Sequence, residues 1–163
     1  MRAPLAGNSI NVSGEFCGII PLTNPVKPST IRFSESRYFV AVVLCSGSNK
    51  SLLETRRLIL ERAGHTVVTV SNEPSLLEAC KKHSFDVAVI GQSVPTKLKP
   101  RIARLIRQHC PNAKILELFP PHIGKLLQDA DAWLLVPADV PHDLVERVNE
   151  LASRGERGEH KEA

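Results

Sequence analysis

Aromatic residues are scarce in this chain of 163 residues, at 4% of the sequence, so Leu, Val, Ile and Ala must fill any hydrophobic core. The chain has no run of about 18 apolar residues, and its N-terminus has no continuous apolar segment, so we expect neither a membrane-spanning helix nor a secretion signal. The formal net charge of +4 is too small to argue for nucleic acid. We therefore expect a soluble, cytoplasmic protein with neither membrane nor nucleic acid as a partner.

The cysteines show none of the close spacings that mark metal or redox motifs. Cys17, Cys45, Cys80 and Cys110 lie far apart and form no C-x2-C pair. This pattern predicts reduced thiols in a cytosolic setting and argues against a structural zinc site. The six histidines also form no pair at metal spacing, so we expect neither a metal nor a cofactor.

Composition divides the chain into three parts. Residues 1–37 mix Pro, Gly, Asn and Ser with one short apolar patch and predict a flexible N-terminal arm. Residues 38–153 carry a regular alternation of apolar runs and helical periods. Residues 154–163 are charged and lack a hydrophobic pattern, which predicts a disordered tail.

The central part predicts an α/β domain with a five-stranded, doubly wound parallel sheet. Short runs rich in Val, Ile and Leu, typical of strands buried on both faces, alternate with five helical segments. Such alternation produces right-handed crossovers and helices on both faces of the sheet. The predicted strands are Phe39 to Leu44, Thr66 to Val70, Asp86 to Ile90, Lys114 to Leu118 and Ala132 to Val136.

Helix boundaries are marked by their own residues. Gly64 is a natural end for the first helix, and Ser71 or Asn72 can cap the second. Pro100 stands near the first turn of the third helix, and the fifth follows Pro141. The predicted fourth helix, over residues 121–128, is short and contains a glycine.

The loop after the first strand, "CSGSNKS", lies where α/β folds bind ligands. It cannot be a phosphate-binding P-loop, because Leu44 and Asn49 replace the required glycines. A nucleophilic Cys45 is a second interpretation, since the loop leads into a helix N-terminus that would lower a thiol pKa. The segment loosely resembles the cysteine loop of sugar-phosphotransferase IIB domains, which leaves a cysteine phosphotransferase as an alternative. The phosphatase pattern C-x5-R fails at Ser51.

A wider resemblance extends over about residues 39–152. The segments "VVLCSGSNKSLLETRRLILERAGHTVVTVSN", "FDVAVIGQSVP", "AKILELF" and "DAWLLVPADVPHDLVERVNEL" resemble the receiver domain of two-component response regulators. The resemblance implies a (βα)5 flavodoxin-like three-layer sandwich. It also implies a domain that accepts a phosphoryl group on an Asp, binds Mg²⁺ through carboxylates and switches a distal face.

The residues that perform this chemistry in receivers are absent from the matching positions. Gly91 stands at the phosphoacceptor position, and Gly47 and Ser48 stand where two carboxylates would hold Mg²⁺. Phe119 replaces the hydroxyl residue after the fourth strand, and Val136 replaces the lysine after the fifth. Glycine cannot form an acyl phosphate. The resemblance therefore implies a pseudo-receiver, non-enzymatic and independent of phosphorylation.

The remaining function predicted for such a domain is protein binding. Receivers signal through an aromatic residue on the fifth strand, here Trp133, and a bulky Phe119 beside the pocket would hold it in one orientation. We expect a protein partner, or a homodimer, at the face formed by the predicted fourth helix, the fifth strand and the fifth helix. The resemblance also implies a cis peptide bond before Pro137. An alternative is a small-anion sensor that uses the backbone amides of Ser46 to Asn49.

The sequence also allows predictions about the surroundings of Glu117 and of the basic residues near the third helix. Glu117 lies on an apolar strand on the same side as Phe119, so it needs either a place near the sheet surface or a Lys or Ser partner, unless it is a remnant polar group of the pocket. The basic residues at and before the third helix predict a solvated face or a surface for an acidic partner: Lys97, Lys99, Arg101, Arg104 and Arg107.

Overall fold

The computed structural model describes residues 40–137 and 141–159, with side chains described as far as residue 155. The predicted N-terminal arm, Phe39 at the start of the first predicted strand, and residues 160–163 lie outside this part of the chain. No helix among the described residues is long and apolar enough to cross a membrane.

The strands form one parallel sheet in the order β2-β1-β3-β4-β5, which confirms the predicted fold class. β1 ends two residues later than predicted. Ser46 is buried and donates its hydroxyl to the carbonyl of Val89 at 3.1 Å, which allows a polar residue to continue the strand. The strands are β1 (Val42–Ser46), β2 (Thr66–Val70), β3 (Val87–Ile90), β4 (Lys114–Phe119) and β5 (Ala132–Leu135).

The helices of the described residues are α1 (Lys50–Arg62), α2 (Glu73–Lys82), α3 (Lys99–His109) and α4 (Pro141–Glu159). The caps follow the sequence prediction: Gly64 follows α1 with a φ of 98°, and Asn72 forms a capping box with Ser75 at the start of α2. Apolar residues of alternate strand positions bury one face of the sheet against α1 and α4 and the other face against α2 and α3.

The connection between β4 and β5 differs from the prediction. The described residues 120–131 form turns and contain no helix, so the predicted fourth helix over residues 121–128 is wrong. Gly124 has a φ of 76°, in the left-handed region that ends helices. The carboxylate of Glu117 accepts the backbone amides of Leu126 at 3.1 Å and Leu127 at 2.9 Å, and so replaces the hydrogen bonds of a helix.

Two further predictions differ from the structure. α4 continues to Glu159, so residues 154–159 are helical although the sequence predicted a disordered tail, and Arg154 pairs with Glu150 one turn back at 2.5 Å. Cys80 and Cys110 form a disulfide with a Cα–Cα distance of 5.9 Å. The sequence hides this pair because 30 residues separate its members, and only the packing of α2 on α3 brings them together.

Candidate functional site

The candidate site lies at the carboxyl ends of β1 and β3, where Gly91 follows the last residue of β3. The amide of Gly91 donates to the carbonyl of Ser46 at 2.9 Å, which joins the two strand ends. A Cβ atom at Gly91 would lie 2.6 Å from Nη1 of Arg56 and 2.8 Å from the Ser46 carbonyl oxygen. The position that the receiver resemblance assigns to the phosphoacceptor is thus a glycine with no room for a side chain in this packing.

Arg56 occupies this space from α1. Its position on the helix places it between Leu53 and Leu60 on the buried stripe, and only 7% of the residue is exposed. Nη2 donates to the side-chain oxygen of Gln92, whereas Nη1 has no hydrogen-bond partner within the described residues. Burial lowers the pKa of Arg56, and the neighbouring Cys45 opposes this effect. A buried guanidinium thus fills the centre of the site.

The loop after β1 is closed by Ser93. A Cβ atom at Gly47 would lie 2.9 Å from Oγ of Ser93 and 3.3 Å from Cδ2 of Leu53. The hydroxyl of Ser48 donates to the carbonyl of Ser93, and Oγ of Ser93 accepts the amides of Ser48 at 3.2 Å and Asn49 at 3.3 Å. The amide of Gly47 donates to the carbonyl of Val70 at 3.2 Å. Gly47 and Ser48 thus contact Ser93, a residue that the sequence analysis did not single out.

Phe119 and Val136 lie together at the carboxyl ends of β4 and β5. The amide of Val136 donates to the carbonyl of Phe119 at 2.9 Å, and Val136 is 8% exposed. The peptide bond between Val136 and Pro137 is cis, as the resemblance implied. This corner of the site is apolar and offers neither a hydroxyl nor an ammonium group to an anion.

A buried ion pair joins α3 to β4. Lys99 and Glu117 are 1% and 0% exposed, and Nζ of Lys99 lies 3.1 Å from Oε1 of Glu117. Nζ also donates to the carbonyl of Leu118 at 2.8 Å. Of the outcomes expected for Glu117, pairing with a Lys is the one observed. The prediction that Lys99 belongs to a solvated face or to a surface for an acidic partner is wrong, because its ammonium group is buried and pairs with Glu117.

Trp133 is held in place on β5, the edge strand of the sheet. Its indole nitrogen donates to the carbonyl of Leu127 at 2.8 Å, and Nζ of Lys125 lies 4.7 Å from the ring centroid. Both contacts come from the connection that replaces the predicted fourth helix. The interaction face predicted from the sequence therefore consists of this connection, β5 and α4.

Comparison of structures identifies the architecture. The receiver domain of the Francisella response regulator 1452 has a TM-score of 0.59 and 21% identity, and the match covers 70% of this chain and 98% of that domain. Chemotaxis protein CheY4 of Vibrio cholerae gives 0.59 and 22%, with coverage of 69% and 98%. An adenylate cyclase structure from Rhodopirellula baltica gives 0.66 and 20%, with coverage of 75% and 94%. The described domain has the receiver fold.

The similarity to these structures is not accompanied by a match in sequence. No protein-family model matches the chain, and no curated protein matches it in sequence. At 19% to 22% identity in several of the matched structures, the likeness establishes the receiver fold, and the chemistry has to be argued from the residues of this chain.

The receiver site of this chain does not fit Mg²⁺. Mg²⁺ requires oxygen ligands, with carboxylates foremost, and Gly47 and Ser48 supply no carboxylate. Ser48 and Ser93 already bond to each other. The buried guanidinium of Arg56 beside Gly91 would also repel a divalent cation. Among the residues that the structure describes, no group of three or more His, Cys, Asp or Glu could hold a metal ion.

The two alternative chemistries receive little support from the geometry. An anion sensor would need free amides in the segment from Ser46 to Asn49, but the amides of Gly47, Ser48 and Asn49 already have acceptors. A cysteine phosphotransferase would need a reactive thiol. Cys45 is 1% exposed, and burial raises the pKa of its thiol to about 12 although Arg56 opposes the shift.

The sequence analysis did not place Arg56, Ser93 or Lys99 at the site, although it named Lys99 among the basic residues of the third helix. A signal for Arg56 exists, because it stands three residues after Leu53 and four before Leu60, on the apolar stripe of α1. The signal for Lys99 is indirect, since only the buried carboxylate of Glu117 demands a cation. The pairing joins residues 18 positions apart, and no local pattern indicates it.

Proposed function

We propose that this domain is a non-enzymatic signalling module that works without phosphorylation and acts by binding a protein. The observation that carries the proposal is the position of Arg56, whose Nη1 lies 2.6 Å from where a Cβ atom would be at Gly91. A receiver signals by forming an acyl phosphate at that position. Here the acceptor is absent and a cation fills its space, so the receiver fold supports binding and not phosphotransfer.

The surface that best fits a partner lies on β5 and the connection before it. We define the β5 surface as Ile123, Lys125, Trp133 and Leu135. Ile123 and Leu135 are 41% and 49% exposed, and Trp133 and Leu135 point to the same side of the edge strand. Exposed apolar side chains next to a tryptophan and a lysine are typical of protein-binding surfaces.

A binding assay with paired variants tests this proposal. Leu135→Glu places a charge in the β5 surface, and Leu58→Glu is the matched control because Leu58 is an exposed leucine, 54% accessible, on α1. We expect the same partner to be captured from native lysate by the wild-type chain and by Leu58→Glu, and its loss with Leu135→Glu. Adding a phosphodonor should leave capture unchanged. Equal capture by both variants would contradict the assignment of the surface.

Self-association is the second form of this function, and light scattering separates it from binding of another protein. A homodimer through the β5 surface would show a mass that rises with concentration for the wild-type chain and for Leu58→Glu, but not for Leu135→Glu. A mass that stays monomeric in all three chains, together with capture of a distinct protein, assigns the surface to a different partner.

A further inference from the structure

Two cysteines meet between α2 and α3. Cys80 is the third residue from the end of α2, in the sequence "ACKK", and Cys110 caps the carboxyl end of α3. Their Cα atoms are 5.9 Å apart, within the range of disulfide bonds in proteins. The described structure also contains Cys45, a free thiol buried at the end of β1. The pairing of Cys80 with Cys110 is therefore selective.

We propose that Cys80 and Cys110 form a redox modification site, in which a reversible disulfide fastens α2 to α3. The two residues differ in accessibility. Cys80 is partly exposed, whereas Cys110 is 6% exposed and belongs to the hydrophobic core cluster on that face of the sheet. A small disulfide in solution reaches Cys80 first, and Cys110 is placed to complete the exchange.

The reaction with glutathione disulfide as oxidant is balanced as follows. The Cys80 thiol loses its proton, and the thiolate attacks one sulfur of glutathione disulfide, breaking that S–S bond and releasing one glutathione thiolate. The Cys110 thiolate then attacks Cys80 Sγ in the mixed disulfide and releases the second glutathione thiolate. The two released thiolates take up the two protons. Two electrons pass from the protein thiols to glutathione disulfide, and a dithiol reductant reverses the exchange.

The disulfide joins the carboxyl ends of α2 and α3, and an ion pair joins the same two helices at their N-terminal ends. Nε of Arg101, in the first turns of α3, lies 2.8 Å from Oε1 of Glu73 at the start of α2. Between these two connections, Leu76 of α2 and Ile102 of α3 line a cavity of about 160 Å³ with the loops after β1 and β3. Oxidation fixes the distance between α2 and α3 at the end where the cysteines lie. In the reduced protein, side-chain packing and the ion pair between Arg101 and Glu73 hold the two helices together.

Thiol counting in the full-length chain tests the modification. The Cys17→Ala variant retains three of the four cysteines. It is equilibrated in buffers of increasing glutathione disulfide, quenched with acid, alkylated in denaturant and weighed by mass spectrometry. We expect three alkyl groups in reducing buffer and one, on Cys45, in oxidising buffer. Peptide mapping should show the Cys80–Cys110 crosslink. Three alkyl groups in every buffer, or a stable glutathione adduct on Cys80 without crosslinking, would overturn the proposal.

A stability measurement tests the effect on the fold. A disulfide that closes a loop of about 30 residues should raise the melting temperature of the oxidised Cys17→Ala chain by roughly 5–15 °C over the reduced chain. In the same background, Cys110→Ser should melt at one temperature in both buffers, and Cys45→Ala, a control outside the pair, should retain the difference. Equal melting temperatures for oxidised and reduced Cys17→Ala would overturn the fastening of α2 to α3.

Discussion

Nη1 of Arg56 lies 2.6 Å from the point that a Cβ atom would occupy at Gly91, so the guanidinium and a side chain at this position exclude each other. Gly91 is where the receiver resemblance places the phosphoacceptor. The same point is 2.8 Å from the carbonyl oxygen of Ser46, which belongs to the backbone of β1 and cannot move away as a side chain can. Glycine at position 91 and the burial of Arg56 thus go together.

Gly91→Ala should destabilise the domain. The added methyl group meets the guanidinium and the Ser46 carbonyl, and we expect a loss of about 1–3 kcal/mol in the free energy of unfolding. Gly155→Ala is the control, since Gly155 lies in α4 with nothing within 4 Å of its added Cβ, and alanine there should stabilise by about 0.5–1 kcal/mol. Urea unfolding measures both. A Gly91→Ala chain as stable as the wild type would contradict the packing described here.

Arg56→Met tests whether the guanidinium causes part of the stability loss expected for Gly91→Ala. Removing a buried cation with an unpartnered nitrogen should be neutral or should stabilise by about 1 kcal/mol. In the double variant with Gly91→Ala, the alanine should cost at least about 0.5 kcal/mol less than in the wild-type background, because the flexible methionine can move aside. Additive effects in this cycle would show that Arg56 and position 91 do not compete for space.

Glu117→Gln should be among the most damaging substitutions at a single position. It leaves the ammonium group of Lys99 buried without a counterion, and breaking a buried pair costs about 3–5 kcal/mol. The control is Glu78→Gln, because the Glu78–Lys82 pair is 65% and 64% exposed and solvent screens it, so its loss should change stability little. Adding Lys99→Met to Glu117→Gln should recover part of the loss. If the double variant is no more stable than Glu117→Gln, the unpaired charge is not the cause.

Stability above pH 8.5 should depend on Cys45. Burial raises the pKa of its thiol to about 12 in the folded domain, whereas an unfolded chain has a value of about 8.5. Below pH 8.5 both states keep the proton, so Cys45 contributes no pH dependence there. Between the two values only the unfolded state loses it, so stability falls as pH rises, by up to about 1.4 kcal/mol per pH unit.

The measurement for Cys45 compares unfolding of the wild type and Cys45→Ala from pH 8.5 to 10.5. Groups that both chains share cancel in the difference, and the wild type should lose about 2–3 kcal/mol more than the variant over this range. Parallel pH profiles would mean that Cys45 ionises in the folded state, and would return the cysteine-phosphotransferase interpretation to consideration.

Much of the fold could be predicted from local patterns, because strands, helix caps and helical periods depend on residues that are close in sequence. The prediction for β2 agrees with the observed Thr66–Val70, and Gly64 and Asn72 stand at the helix ends where their chemistry belongs. The predicted fourth helix fails because the carboxylate of Glu117, nine and ten residues earlier in the chain, binds the amides of Leu126 and Leu127. The sequence shows that Glu117 is nearby, but not that its carboxylate turns toward these amides.

The candidate site, like the fold, could be predicted from the sequence only in part. The resemblance assigned Gly47, Ser48, Gly91, Phe119 and Val136 to the positions of a receiver's functional residues, because such an assignment needs only matched positions in sequence, and it remains a prediction. It did not indicate which side chains lie beside these residues. Arg56 and Ser93 reach the site from α1 and from the loop after β3, and the contacts depend on helix rotation and loop path. The disulfide between Cys80 and Cys110 is hidden for the same reason.

The phosphodonor experiment tests the central claim most directly. The chain is incubated with Mg²⁺ and either acetyl phosphate or beryllofluoride, beside a phosphorylatable receiver domain as a positive control. Intact mass and the fluorescence of Trp133, the single tryptophan of the chain, are then recorded. We predict no phosphoryl adduct and no fluorescence change, because Arg56 fills the space beside Gly91 and because Leu127 and Lys125 contact the indole of Trp133. An acid-labile phosphoryl adduct, or a fluorescence change that requires both Mg²⁺ and beryllofluoride, would contradict it.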